Sequence, residues 1–270
     1  MKIEINGCSI HYKIRGMGQP ILCIHGFPED HEVMLNCVEP MFEKVDGYQR
    51  VYIDLPGMGK STTSEAIQTA DDMLAVVQQF AAQIFKTEKY LLVGQSYGGY
   101  LSLGMTVVDP NRVRGLFLLC PCVKADRRTR TLPKRELRQK TNFFINDEEK
   151  ESFSDFLEMA VLANEDTWSR YKKDILPGLL RADSDFVDTY QTNGYELSFE
   201  SDFEKFTYDK PTTFLTGKQD DCVGYQDAFQ LLHSFSHASF LIIDDAGHNL
   251  QIEQPELFQD IFRKWLAKVE

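Results

Sequence analysis

The residues best suited to chemistry in this 270-residue chain lie around Ser96, in the segment Gly94-Gln95-Ser96-Tyr97-Gly98. The segment fits the pattern G-x-S-x-G, in which a serine occupies a sharp turn between a strand and a helix. The two glycines permit this turn, because side chains there would collide with the neighbouring strand and helix. The pattern therefore predicts that Ser96 is a nucleophile whose hydroxyl projects from the edge of the sheet, beside the N–H groups of a helix start.

A serine hydroxyl is a weak nucleophile and needs a general base. His248 is the predicted base, because it follows a predicted strand and precedes the last predicted helix. That position lies at the carboxyl edge of a parallel sheet, where such sites form. The other histidines fall in a predicted hairpin, near the first core strand, or in or beside a helix: His11, His25, His31, His233 and His237.

A carboxylate must hold the base in the correct tautomer. Asp220 and Asp221 follow another predicted strand, and in an extended loop they point to opposite sides, so one of them should reach His248. Spacing alone does not decide between the two. Asp244 and Asp245 are too close to the histidine in sequence to reach its far nitrogen, and we interpret them as turn residues.

The oxyanion of an acyl-transfer reaction needs N–H donors aimed at it. We expect one donor to be the backbone N–H of Tyr97, directly after the nucleophile. The other should be the backbone N–H of Phe27, in the segment His25-Gly26-Phe27-Pro28 after the first core strand. Phe27 and Tyr97 are also the predicted substrate-binding residues, and His25 is predicted to brace the loop.

The elements that must position these residues follow from the hydrophobic pattern. Residues 2–5 and 9–14 alternate around Asn6-Gly7, which predicts a hairpin. Short apolar runs and longer helical patterns then alternate, which predicts an α/β fold with a mostly parallel central sheet, helices on both faces and strands buried on both faces. The runs are residues 21–24, 51–53, 90–93, 115–120, 212–215 and 239–243; the helical patterns are residues 71–85, 99–108, 225–235 and 255–269.

This alternation stops between residues 123 and 210, where we find no buried-strand run. A basic stretch is followed by an acidic one, and residues 153–162 and 168–180 have helical periodicity. We interpret the segment as a helical insertion, with residues 1–122 and 211–270 forming the core. The charged runs are interpreted as solvated helix faces.

Composition limits the partners. Lysine and arginine number 29 against 41 acidic residues, a net charge of −12, which argues against nucleic acid and anionic membranes. No run approaches the ~20 apolar residues that span a bilayer, and no apolar export segment is visible. We therefore expect a cytoplasmic protein with six free thiols that acts on a small molecule. Cys120-Pro121-Cys122 lacks a second ligand pair, and Asp54 stands where a phosphate-binding loop ending at Gly59-Lys60-Ser61 needs glycine, so no metal or cofactor is predicted.

Together these segments resemble the α/β-hydrolase superfamily. The resemblance rests on residues 25–28 and 54–61, the turn at Ser96, Gly217-x-x-Asp220 and Gly247-His248, in the order Ser, Asp, His. It implies that Asp220, three residues after a strand-end glycine, is the acid of the triad. It also implies that residues 123–210 form a helical cap that covers the site and sets substrate choice. A serine nucleophile argues against the dehalogenase and epoxide-hydrolase branches, and Gln95 at the turn is interpreted as a neutral departure.

The predicted function is hydrolysis of small carboxylic esters through an acyl-enzyme on Ser96, without a cofactor. Two alternatives share the chemistry: an aminopeptidase of the proline iminopeptidase type, which needs acidic groups for the substrate amine, and a C–C bond hydrolase. A third belongs to another class, a ligand receptor or signalling protein on a hydrolase scaffold. The sequence makes no prediction of oligomeric state.

Overall fold

The computed structural model describes residues 1–269, so Glu270, the predicted end of the core, lies outside the described part. Within that part the chain forms a main sheet of eight strands and a small sheet of two. In chain order the strands are β1 (Lys2–Ile5), β2 (Cys8–Gly16), β3 (Gln19–Ile24), β4 (Tyr48–Ile53), β5 (Tyr90–Gln95), β6 (Val113–Leu119), β7 (Gln139–Lys140), β8 (Leu162–Ala163), β9 (Thr212–Gly217) and β10 (Ala238–Ile243).

The main sheet has the order β1-β2-β4-β3-β5-β6-β9-β10. It is parallel from β4 to β10, and β2 pairs antiparallel with both β1 and β4. The predicted mostly parallel sheet is confirmed. The predicted hairpin is confirmed too: Asn6 and Gly7 both have positive φ, at 50° and 79°, as its tight turn requires.

Burial across the sheet separates the central strands from the edge. Every residue of β5 and β9 is buried, because both faces of these strands are covered. The prediction of a strand buried on both faces is wrong for β10, whose residues are all partly or fully exposed. The reason is its position, since β10 is the last strand of the sheet and has a neighbour on one side only.

Ten α-helices accompany the strands within residues 1–269. Four match the predicted helical patterns, although the predicted helix at 225–235 is divided into a short α-helix and a 3₁₀ turn. The helices are α1 (His31–Val38), α2 (Ala70–Phe85), α3 (Tyr97–Val108), α4 (Lys150–Met159), α5 (Glu165–Asp174), α6 (Leu176–Arg181), α7 (Ser184–Asn193), α8 (Gln226–Gln230), α9 (Leu250–Glu253) and α10 (Pro255–Val269).

Local sequence explains where the long core helices begin and which face they bury. Thr69 caps α2 and forms a reciprocal capping box with Asp72. Helix α10 starts at Pro255, which fits the first helical position because it has no N–H to satisfy. The buried face of α10 packs on β6, where the rings of Phe262 and Trp265 contact Phe117 at centroid distances of 4.8 and 5.6 Å.

The segment between β6 and β9, residues 123–210, contributes no strand to the main sheet, because β6 pairs directly with β9. We call it the insertion. It contains α4, which overlaps the predicted pattern at 153–162, and α5 and α6, which overlap the pattern at 168–180. It also contains α7 and the two-residue strands β7 and β8, which the periodicity did not predict. An aromatic cluster forms its interior: Phe153, Phe156, Trp168 and Tyr171.

Two further features bear on the sequence expectations. Within residues 1–269, no helix combines the length and the apolar character that crossing a bilayer requires. All six cysteines are free thiols.

Candidate active site

Ser96 lies in the turn between β5 and α3, with φ 53° and ψ −117°. A non-glycine residue at positive φ is strained, and such strain persists where the surrounding fold imposes it. The fold does so here by close packing: a Cβ at Gly94 would overlap the Gly98 carbonyl, and a Cβ at Gly98 would overlap the Ile24 carbonyl. The β5–α3 turn therefore packs as closely on itself and on β3 as the two glycines allow. Beyond the carboxyl end of β5, the Ser96 hydroxyl faces His248.

The structure brings the three predicted side chains together. Ser96 Oγ lies 2.9 Å from His248 Nε2, and His248 Nδ1 lies 2.9 Å from Asp220 Oδ2. A carboxylate can only accept, so Nδ1 carries the proton and Nε2 accepts from the serine hydroxyl. Ser96 and His248 are 7% exposed and Asp220 is fully buried, so this hydrogen-bonded chain is shielded from bulk water.

The choice between the two neighbouring aspartates follows from the loop after β9. Asp220 Oδ1 accepts the N–H groups of Cys222 and Val223, both at 3.0 Å, which turns its other oxygen toward His248. Asp221 points away and its carboxylate accepts from Arg135 Nε at 3.2 Å. The two side chains do diverge, and Asp220 is the one within reach of the histidine.

Electrostatics at the site favour a charged imidazole more than in water. Burial lowers the pKa of His248, but the charge of Asp220 and its hydrogen bond raise it by more, and the buried carboxyl of Glu29 adds to that increase. The net result is a pKa above the usual histidine value. This is the property that a base needs in order to take the serine proton.

The loop after β3 stands opposite the serine turn. His25 is fully buried, donates from Nδ1 to the Gly26 carbonyl at 2.7 Å and accepts the Leu55 N–H at Nε2 at 3.0 Å. It braces the loop, in keeping with the structural role expected for it. The backbone N–H groups of Phe27 and Tyr97, the predicted oxyanion donors, find no acceptor among residues 1–269.

A cavity of about 580 Å³ opens onto Ser96 and His248, a volume suited to a small-molecule ligand. Of the two predicted substrate-binding side chains, Phe27 lies on its wall and Tyr97 does not. The Tyr97 ring is fully buried and stacks on Tyr195, 4.2 Å between centroids. Its predicted contact with substrate is therefore limited to the backbone N–H.

Several residues around the cavity were not identified from the sequence. Arg127 and Arg130 belong to the basic stretch interpreted as a solvated helix face, yet both line the cavity, and Arg130 is half-buried. The sequence analysis assigned no role to Glu253, because no motif or spacing around this residue indicates one. Its carboxylate accepts Gly247 N–H at 2.7 Å and Val161 N–H at 2.6 Å, and so ties the His248 loop to the insertion.

Two groups of side chains in the described part are close enough to be considered for a metal ion. One is Cys120, Asp220 and His248; the other is His11, His31 and Asp54. In both groups the histidine Nδ1 atoms lie 2.7 to 2.9 Å from a carboxylate, to which they must donate. A nitrogen that donates a proton has no free lone pair for a metal, so the donor sets suit hydrogen bonding better than coordination.

The chain is similar to a known protein family and to a solved structure. A family model described as alpha/beta hydrolase fold matches residues 19–255. A solved structure of an alpha/beta superfamily hydrolase from Oenococcus oeni PSU-1 is 31% identical and superposes with a TM-score of 0.92, covering 100% of this chain and 99% of that one.

Two curated relatives are more distant. Abhydrolase domain-containing protein abhd-5.2 of Caenorhabditis elegans is 24% identical over 95% of this chain, which spans only 60% of that protein's length. The (E)-2-((N-methylformamido)methylene)succinate hydrolase of Acinetobacter baylyi is 24% identical over 97% of this chain and 95% of its own.

Proposed function

The chain belongs to the alpha/beta hydrolase fold family, and from this premise we propose that it is a serine hydrolase that cleaves small carboxylic esters through an acyl-enzyme on Ser96. One observation carries the proposal. The hydroxyl of Ser96, the imidazole of His248 and the carboxylate of Asp220 form a continuous hydrogen-bonded chain with two links of 2.9 Å, and the serine end faces a cavity.

In the acylation step, Ser96 Oγ attacks the ester carbonyl carbon while its proton passes to His248 Nε2. Asp220 accepts from Nδ1 throughout and stabilises the imidazolium that forms. The carbonyl oxygen becomes an oxyanion, which the free N–H groups of Phe27 and Tyr97 stabilise. When the tetrahedral intermediate collapses, the C–O bond to the alcohol breaks and the alcohol leaves with the proton from Nε2.

The second step reverses the roles with water. His248 Nε2 takes a proton from a water molecule, whose oxygen attacks the acyl carbon. The bond between that carbon and Ser96 Oγ then breaks, Oγ regains its proton from the imidazolium, and the carboxylic acid departs. The two steps together consume the ester and one water molecule and release the alcohol and the carboxylic acid, and they return Ser96 and His248 to their starting protonation states.

We further propose that the insertion, residues 123–210, acts as a cap on a core of residues 1–122 and 211–270. Met159 and Tyr195 of the insertion share the cavity wall with Phe27 and Val223 of the core, so both parts contact any occupant. Arg181 of the insertion also pairs with the buried carboxylate of Asp30 at 2.6 Å. Substrate choice would then depend on side chains from both sides.

The charge of the cavity argues against an aminopeptidase. Three arginines and two carboxylates line it, whereas a substrate amine is a cation and needs an excess of carboxylates. The receptor alternative keeps the same three side chains, and turnover distinguishes it from the enzyme.

The test is hydrolysis of 4-nitrophenyl butyrate together with labelling by a fluorophosphonate, in the natural protein and in Ser96→Ala. We expect turnover and labelling in the natural protein, and a loss of about 10⁶-fold in kcat in the variant, the scale seen when a triad serine is removed. Ser236→Ala, at an exposed serine, is the matched control and should match the natural protein. Labelling without turnover on a panel of esters would favour a binding role, and turnover retained in Ser96→Ala would overturn the proposal.

A further inference from the structure

The charged side chains of the catalytic cavity carry a further inference, which rests on the proposed function. We propose that the ester substrate also carries a carboxylate, which Arg127 binds while Arg130 provides a fixed positive charge beside it. The argument depends on which of the cavity's charges are already matched within the protein.

Three arginines and two acids line the cavity. Arg128 and Asp126 neutralise each other through Nε and Nη2 contacts of 2.9 and 2.8 Å. The charges left are those of Arg127 and Arg130 against the exposed Glu196, an excess of one positive charge. This excess stands against a net charge of −12 for the whole chain, so the cavity has the opposite sign to the protein around it.

Arg130 is a positive charge held in place without being neutralised. Its guanidinium donates to three backbone carbonyls, those of Lys124 at 2.8 Å, Ala125 at 2.9 Å and Cys222 at 2.9 Å. No carboxylate within residues 1–269 forms an ion pair with it, and nearby Glu200 is occupied by Tyr100 and the Ala125 N–H. Carbonyl oxygens fix the geometry of a guanidinium but leave its full charge available to a ligand.

Arg127 is the complementary case, a guanidinium without a hydrogen-bond or ion-pair partner in the described part. The Arg127 side chain is exposed and lines the cavity, whereas the backbone carbonyl of this residue accepts the Arg130 N–H at 3.2 Å. Burial and the charges of Asp220 and Asp221 raise the pKa of the Cys222 thiol on the cavity wall, and the charges of Arg127 and Arg130 oppose that rise. Two guanidinium groups without a carboxylate partner in the described part therefore line the same cavity.

A carboxylate is the ligand that suits this arrangement. Its two oxygens match the planar N–H fork of arginine, which gives both strength and orientation. Phe27, Met159 and Val223 line other parts of the same cavity and offer apolar contact. The substrate class is therefore an ester with an apolar body and a separate carboxylate.

Two matched substrate pairs test the proposal in the full-length chain. In the first pair, the mono-4-nitrophenyl ester of adipic acid is compared with 4-nitrophenyl hexanoate, so the carboxylate is on the acyl side. In the second, 4-carboxyphenyl butyrate is compared with phenyl butyrate, so it is on the alcohol side. We expect kcat/KM to favour the charged member of at least one pair by about tenfold, the scale of one charge-assisted contact.

Arg127→Gln should remove most of that preference. The variant is expected to fold, because the side chain is exposed and makes no hydrogen bond in the described part. Arg15→Gln is the matched control: it removes an exposed arginine on β2, outside the cavity, and should keep the preference. Raising the ionic strength should reduce the preference in the natural protein.

The outcomes distinguish the carboxylate proposal from the proposed hydrolase function on which it rests. A preference for the charged ester in neither pair, or an equal loss of preference in Arg127→Gln and Arg15→Gln, overturns the carboxylate proposal while leaving the hydrolase intact. Failure of every ester to show turnover that depends on Ser96 overturns the proposed function instead.

Discussion

Two buried aspartates in this molecule hold histidines in nearly the same way, yet only one of them stands at a candidate active site. Asp220 lies 2.9 Å from Nδ1 of His248. Asp54 lies 2.8 Å from Nδ1 of His11 and 2.7 Å from Nδ1 of His31. Both carboxylates are fully buried. An aspartate–histidine pair is therefore not in itself a mark of catalysis.

The difference lies at the other ring nitrogen. His248 Nε2 faces the hydroxyl of Ser96, and beyond it a cavity. His31 Nε2 is buried without an aligned hydrogen bond, 3.3 Å from the Glu32 carboxylate, and His31 does not line that cavity. A proton that reaches His248 can therefore be passed to an occupant of the cavity, which His31 does not line.

The hydrogen-bond donors around the two carboxylates also differ, and those around Asp54 indicate a structural role. Asp54 accepts from both histidines and also from the backbone N–H groups of His31 and Lys60, at 2.8 and 2.9 Å. Burial raises its pKa, but these donors lower it by more, to well below the usual value. Such a carboxylate joins β2, α1 and the loop after β4, which is a structural role.

The largest expected effect separates the two clusters by activity. Asp220→Asn should lower kcat by about 10⁴-fold, because an amide N–H facing Nδ1 favours the wrong tautomer of His248. The thermal midpoint should change little, since the amide oxygen can still accept the Cys222 and Val223 N–H groups. Steady-state kinetics and thermal unfolding give the two readouts.

Asp221→Asn is the control for that variant, because it changes the neighbouring carboxylate, which points to Arg135. It should retain most of the activity. Equal losses in the two variants would contradict the assignment of Asp220 as the partner of His248.

The next effect is on stability and should appear at the other cluster. Asp54→Asn should lower the free energy of unfolding by about 3–5 kcal/mol, the cost of removing one partner from a buried charged network. The activity of the remaining folded protein should fall far less than in Asp220→Asn. Denaturant unfolding gives the free energy, and Asp46→Asn, at an exposed aspartate, is the matched control.

The sign of the pH dependence gives a second readout for Asp54. Because its pKa is lower in the folded than in the unfolded chain, its stabilisation is present above pH ~4 and is lost as the pH falls below that value. Asp54→Asn should therefore lose stability at neutral pH and approach the natural protein in acid. A constant difference across this range would contradict the role given to the carboxylate.

The sequence predicted the cluster around His248 but not the cluster around Asp54, and the reason is physical. Ser96 is marked by the local requirement for glycines, and Asp220 and His248 are marked by strand ends and family order. The partners of Asp54 carry no local mark, because His11 and His31 are 43 and 23 residues away and meet it only after β2 pairs with β4. The sequence interpretation of the basic stretch as solvated fits Arg127, which is exposed, but it did not indicate that Arg127 and the half-buried Arg130 also line a cavity, because charge alone does not show what a side chain faces.

The smallest expected effect concerns Glu29, a buried residue in the loop between β3 and α1. It precedes His31 by two residues, yet its charge acts on His248. The side chain is 7% exposed, its Oε2 has no hydrogen-bond partner in the described part, and burial raises its pKa to about 7. Around neutral pH it is therefore partly ionised, and its negative charge favours the imidazolium form of His248.

Glu29→Gln removes that charge and should lower the pKa of His248. The base must be neutral to accept the serine proton, so kcat/KM should fall on the acid side of a midpoint that follows the raised pKa of His248. In the variant this midpoint should move to lower pH, which a pH profile of kcat/KM for 4-nitrophenyl butyrate measures. Glu43→Gln, at an exposed glutamate, should leave the midpoint unchanged.

The direction in which the midpoint of the kcat/KM profile shifts distinguishes an electrostatic role of Glu29 from a structural one. If Glu29 served only the folding of the loop, its loss would lower kcat/KM at every pH and leave the midpoint in place. A shift to lower pH indicates that the charge of Glu29 acts on His248. A shift to higher pH would contradict the electrostatic role, because removing a negative charge cannot stabilise an imidazolium.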